Sequence, residues 1–149
     1  MIIDFLEGQW HLSRRVIAAH NHYILAHMQG YALLIPKHDS AYDRLLHYTE
    51  KVTVFYHNNP KPVSAKQNYR YIQKSEEVSK IFDDGRLFYK LSIEKKGKTV
   101  YAHGNHQCAQ DTYKARYIIR HNDFQLTHTV TGPQKDYQII TDYTRTPPT

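Results

Sequence analysis

Apolar and polar residues alternate at a spacing of two along nearly all of this chain, and turn residues break the alternation at short intervals. That period belongs to strands with one buried face; the 3.6-residue period of an amphipathic helix is almost absent. The pattern predicts a short helical turn over residues 3–7. It predicts strands over 9–19, 22–35, 42–56, 64–73, 77–82, 87–94, 99–103, 106–120, 124–131 and 136–145. The breaks carry turn chemistry. Asn21 marks a tight turn, Pro36 stops the second strand, and Asn58-Asn59-Pro60-Lys61-Pro62 reads as a loop. Asp83-Asp84-Gly85-Arg86 is the best hairpin turn, because Asp-Gly readily takes positive φ.

Ten strands in sequential hairpins, with no internal repeat and no room for a helical crossover, predict an all-β fold: an antiparallel up-and-down barrel. Closure is expected because it removes the exposed edges, and a barrel of this size is wide enough to hold a small ligand. The 149 residues fit one domain spanning 1–149, and only the closing Thr146-Pro147-Pro148-Thr149 reads as a tail.

Composition changes this picture in two ways. Thirteen tyrosines are far more than strand packing requires. Each has a large apolar body and a polar tip, which suits strands whose inner face meets a ligand and bound water. The net charge of +6 invites a nucleic-acid reading, but the basic residues are scattered. Only Lys95-Lys96-Gly97-Lys98 is a tight cluster, and it falls on a predicted hairpin tip, where a solvated loop explains it. Nucleic acid is therefore not expected as a partner. No apolar run approaches a membrane span, and the start lacks the basic and apolar regions of a secretory signal. A single cysteine cannot form an internal disulfide and fits a reducing compartment, so a cytoplasmic location is expected.

The last third carries the chemistry. His106-Gln107-Cys108-Ala109-Gln110-Asp111-Thr112-Tyr113-Lys114-Ala115-Arg116 and Gly132-Pro133-Gln134-Lys135-Asp136-Tyr137 place imidazole, thiol, carboxylate, phenol and basic groups on strands. Such groups are costly to bury without partners, so strands that line an interior would enclose a polar, aromatic-walled pocket. On a regular strand His106, Cys108 and Arg116 share one face and Asp111 and Tyr113 the other. A bulge near Ala109-Gln110 would bring all four of His106, Cys108, Asp111 and Tyr113 to one wall. Tyr137, Tyr143 and Arg145 alternate onto one inward face and, with Arg14 and Arg116 from other strands, could clamp an anionic group, since arginine makes paired, directed bonds to carboxylates and phosphates; Lys135 is a further ligand-contact candidate. Tyr69 and Tyr71 are further wall candidates. His103, His106 and His128 lack zinc-site spacing, so no metal is assigned. Cys108 beside His106 could give a thiolate, but no oxyanion-hole loop accompanies the pair, so no catalytic residue is assigned.

Gly8-Gln9-Trp10, where the first strand begins, resembles the Gly-x-Trp signature that opens calycin barrels, the lipocalins and fatty-acid-binding proteins. In those folds the tryptophan plugs one barrel end and a late arginine lies across its ring; Arg145 is the matching candidate. The whole chain is similar to a bacterial calycin-type family without an assigned function. The matching residues are Phe5-Leu6-Glu7-Gly8-Gln9-Trp10 with Arg14 and Arg15, Tyr69-Arg70-Tyr71, and Phe82-Asp83-Asp84-Gly85-Arg86-Leu87-Phe88. They continue with His106, Cys108, Asp111 and Tyr113, then Gly132, Pro133, Lys135, Asp136 and Tyr137. The resemblance implies the fold and a shared polar constellation, and brings no activity. The expectation is a barrel that binds an amphipathic, aromatic or anionic small molecule, with no cofactor assigned and a homodimer left open. An enzyme using His106, Asp111 or Tyr113 as acid or base is the rival. A haem- or tetrapyrrole-binding barrel is the third reading, since some calycin relatives bind such groups through one histidine.

Overall fold

The computed structural model describes residues 2–146; of the tail expected over 146–149, the last three residues lie outside them. A short helix, α1 (Ile2–Leu6), is followed by ten antiparallel strands. These are β1 (Gly8–Ala18), β2 (Ile24–Pro36), β3 (Arg44–Tyr56), β4 (Val63–Lys74), β5 (Glu77–Phe82), β6 (Leu87–Lys96), β7 (Thr99–Cys108), β8 (Asp111–Ile119), β9 (Asp123–Thr131) and β10 (Asp136–Arg145). Each strand pairs with its sequence neighbours, and β1 also pairs with β10 from Trp10↔Arg145 to Ala18↔Tyr137, which closes the barrel. No helix among the described residues is long and apolar enough to cross a membrane.

One sequence boundary is misplaced. The break expected between the strands over 99–103 and 106–120 is absent: β7 runs on through Gly104-Asn105 to Cys108, and the chain turns instead through Ala109-Gln110 into β8. Ala109 takes the left-handed conformation at φ 54°, so a two-residue turn forms without a glycine. Ala-Gln carries none of the usual turn signals, and the alternation continues unbroken through it. The register from Val100↔Ile119 to Cys108↔Asp111 is regular, so the expected bulge is absent. The hairpin achieves what the bulge was invoked for. His106 opposes Tyr113 and Cys108 opposes Asp111, which places all four side chains on the inner face.

One end of the barrel is shut. Ile3, Leu6 and Trp10 are fully buried there. The Trp10 ring packs edge-on against Phe124 at 4.9 Å and tilted against Phe5 at 5.4 Å, while its Nε1 donates to the Leu6 carbonyl at 3.0 Å. The Arg145 guanidinium sits 3.9 Å over the Trp10 ring and donates to the Glu7 and Phe5 carbonyls at 2.6 and 2.7 Å. It thus satisfies carbonyls that a five-residue helix leaves without partners and locks helix, tryptophan and last strand together. Gly8 has φ +126°, and a β-carbon there would stand 2.7 Å from the Arg145 guanidinium, so the motif needs glycine for both conformation and space.

The other end is open and its rim is uneven. β5 is only six residues long and pairs with β4 from Tyr69 onward. The exposed first half of β4, residues 63–68, therefore has no neighbour on that side, and the wall is notched. Phe82 and Phe88 stack at 4.6 Å beside the notch, with His106 edge-on to Phe88 at 5.2 Å.

Candidate functional site

Strand alternation sends Tyr48, Glu50, Val52 and Val54 of β3 inward, with Arg14 of β1, His128 of β9, and Ile139, Thr141 and Tyr143 of β10. They line a cavity of about 320 Å³ that Tyr69 of β4 and Lys80 of β5 complete. This volume is at the small end of ligand pockets. The walls are aliphatic and aromatic, and a small number of polar groups converge within them.

Two of those groups satisfy each other. Arg14 makes a bidentate pair with Glu50, at 2.7 and 2.8 Å, and its Nε donates to Thr141 Oγ1 at 2.8 Å. The Tyr48 hydroxyl donates to Glu50 at 2.5 Å and lies 2.8 Å from the Tyr143 hydroxyl. Burial alone would raise the Glu50 carboxyl, but the Arg14 guanidinium and the Tyr48 hydroxyl hold it below the ordinary carboxylate range. Burial likewise opposes the Arg14 charge, and the Glu50 carboxylate outweighs it.

A second network joins strands across the barrel. The Tyr117 hydroxyl lies 2.6 Å from that of Tyr71 and 2.7 Å from that of Tyr89, and Tyr89 lies 3.1 Å from His128 Nε2. All three phenols are driven well above their usual pKa by burial, so they remain neutral donors. Burial, with the nearby Lys80 and Arg14 charges, pushes His128 down to about 3, which leaves it a neutral imidazole at physiological pH. Small residues on β7 make room for these rings: a β-carbon on Gly104 would stand 2.5 Å from the Tyr89 ring.

Lys80 differs from every other polar group in the interior. It sits where the β5–β6 register shifts, opposite Tyr71 on one side and Tyr89 on the other. Bulges of this kind re-aim side chains. Its side chain is 3% exposed, lines the cavity, and has no hydrogen bond or ion pair with another described residue. Five rings surround the amine: Tyr69 at 4.2 Å, Tyr71 at 5.4 Å, Tyr48 at 5.6 Å, Phe88 at 5.7 Å and Tyr89 at 5.8 Å. Burial lowers its pKa to about 7; the Arg14 charge adds to that fall and Glu50 opposes it.

The residues expected from the sequence divide into four groups. Arg14, Tyr69 and Tyr143 line the cavity, and Tyr71 lies beneath it in the tyrosine network. His106, Asp111, Tyr113, Lys135 and Tyr137 gather at the open rim. There Lys135 lies 3.0 Å from the Asp111 carboxylate and donates to the Tyr113 hydroxyl at 3.2 Å. Cys108 is exposed at the end of the hairpin. Arg116 is misassigned: it opposes His103, lies outside the barrel, and its guanidinium rests 5.8 Å from the Tyr101 ring. The turn at Ala109-Gln110 keeps His106 and Cys108 in phase with Asp111 and Tyr113, so Arg116 falls on the opposite face. Among the described residues, no cluster of three or more histidine, cysteine and carboxylate side chains could hold a metal ion.

Sequence reading missed Glu50, Lys80, Tyr48 and Tyr117 as a set. The available signal was phase: Glu50 alternates with Tyr48, Val52 and Val54, and Lys80 with Val78 and Phe82, so each charge occupies a core-facing position. No curated protein matches the chain. Residues 6–145 match a described family over nearly the whole barrel, and the chain thus belongs to DUF6314, a family of unknown function.

Proposed function

We propose that this barrel binds one small amphipathic molecule, partly aromatic, whose polar end is anionic or otherwise electron-rich. The observation that carries the proposal is the Lys80 amine, buried against the cavity without a counter-ion or hydrogen-bond partner among the described residues. Arg14 and Glu50 neutralise each other, so Lys80 leaves the interior with surplus positive character. An isolated buried amine is costly unless something pairs with it, and a ligand with an acceptor group would supply that pairing. Apolar and tyrosine surface would supply affinity, with orientation from the few polar groups.

The Trp10–Arg145 end plate supports reading the barrel as calycin-like, and the exposed Cys108 thiol fits a cytoplasmic protein. An acid–base role for His106, Asp111 or Tyr113 draws less support, since Asp111 and Tyr113 are both engaged by Lys135 at the rim. A tetrapyrrole draws little, because the cavity histidine, His128, already engages Tyr89 through Nε2.

The test uses 1-anilinonaphthalene-8-sulfonate, an aromatic anion, in a fluorescence titration of the folded protein. The expected result is saturable binding to a single site, weakened at least about tenfold by Lys80→Met, which removes the buried cation. Binding that does not saturate, or that Lys80→Met leaves unchanged, would contradict the proposal.

A further inference from the structure

We propose that Lys80 is a covalent ligand-capturing residue, and that the barrel takes an aromatic or conjugated aldehyde or ketone as an imine on the Lys80 nitrogen. This deepens the small-molecule reading above and rests on it. The observations are geometric. The amine faces a cavity whose other buried cation, Arg14, is fully engaged by Glu50 and Thr141. No described side chain donates a hydrogen bond to the Lys80 nitrogen, so its lone pair, when the amine is neutral, meets no competing donor. Five aromatic rings wall the amine, and they suit a flat, conjugated carbonyl compound better than a hydrated anion.

The chemistry balances without a redox partner. The Lys80 nitrogen attacks the carbonyl carbon, forming a C–N bond while the C=O π pair moves to oxygen. A proton passes from nitrogen to that oxygen to give the carbinolamine. Loss of the hydroxyl as water, with the second nitrogen proton, forms the C=N bond. The net change is amine plus carbonyl giving imine plus water, and hydrolysis reverses it.

The surroundings favour both ends of that sequence. A lysine titrating near 7 presents a large fraction of neutral amine at physiological pH. An ordinary surface lysine, with a pKa near 10.4, presents roughly one in a few thousand. Once formed, a protonated imine is a delocalised cation. The ring faces that surround Lys80 and the nearby Glu50 carboxylate stabilise such a charge. The groups around the amine are Tyr69 and Tyr71 on β4 and Tyr89 on β6, the adjacent strands, with Tyr48 and Glu50 on β3, His128 on β9 and Arg14 on β1 farther round the wall.

The experiment incubates the full chain with cinnamaldehyde at pH 7 and traps any imine with sodium cyanoborohydride, then maps the adduct by peptide mass spectrometry. Lys80→Met is the control, since it keeps the cage filled and removes only the amine. Cinnamyl alcohol, which has the same shape and no carbonyl, is titrated in parallel by thermal shift. The expected result is labelling at Lys80 at least about tenfold above any other lysine, lost in Lys80→Met and suppressed by cinnamyl alcohol. Cinnamyl alcohol binding without a Lys80 adduct would overturn covalent capture and leave the binding reading intact. Adducts spread evenly over surface lysines, or no adduct and no binding of either probe, would also overturn it, and the last result would remove the binding reading as well.

Discussion

The open rim and the deep interior of this barrel hold similar inventories of charged and phenolic groups, yet they differ in what those groups can do. At the rim, Lys135, Asp111 and Tyr113 form a bonded cluster in partial contact with water. Water can replace each of those bonds, so the cluster ties the β7–β8 hairpin to the β9–β10 turn at small energetic stake. In the interior, Arg14, Glu50, Tyr48 and Tyr143 form a bonded cluster that water does not reach freely, and Lys80 stands beside it among aromatic rings, without a hydrogen bond or ion pair to a described residue. Burial sets what a missing partner costs, and among the buried charges the missing ionic partner, rather than residue type, separates Lys80 from the structural Arg14–Glu50 pair.

The comparison predicts unequal responses to the same kind of mutation. Glu50→Gln should be the most damaging, because it strands the buried Arg14 guanidinium; a loss of about 3–5 kcal/mol is expected in urea unfolding. Asp111→Asn at the rim should shift the midpoint far less, and equal losses at both sites would break the contrast.

Lys80→Met should have the opposite sign and raise stability by about 1–4 kcal/mol, since an apolar side chain replaces an unpaired buried amine. Its pH dependence follows from the shift. The folded pKa of about 7 lies below the ordinary lysine value, so between about 7 and 10.5 the unfolded chain binds a proton that the folded chain does not. Wild-type stability therefore rises with pH across that window, and Lys80→Met should flatten the rise. A steeper dependence in the variant would contradict the assignment.

Tyr117→Phe removes the hydroxyl shared by Tyr71 and Tyr89. It should cost about 1–3 kcal/mol, measured by thermal or urea unfolding. Smallest of all, Arg116→Ala should change stability by less than about 0.5 kcal/mol and leave ligand-probe fluorescence unaltered, as befits a side chain on the outer surface.

The architecture was legible because period two and turn chemistry act locally. β5 and β10 fall where the alternation places them, and the Asp83–Arg86 turn forms as its Asp-Gly pair dictates. The Ala109-Gln110 turn was not legible, because its residues carry no turn preference and the hairpin is imposed by pairing along the rest of β7 and β8. The motif-rich last third drew attention to His106 and Cys108, whereas the interior charges come from β1, β3 and β5, whose residues meet only after closure. Glu50 and Lys80 stand thirty residues apart in sequence, and only β4 and the barrel's curvature bring their charges into mutual influence.

The most direct test of the account is the protonation state of Lys80 itself, followed through the Cε resonance of carbon-labelled lysine, with Lys80→Met for assignment. A titration midpoint near 7 would establish a buried, unpartnered amine at the cavity wall. A midpoint at the ordinary lysine value near 10.4 would mean that the amine is solvated or paired, and the account of the interior would be wrong.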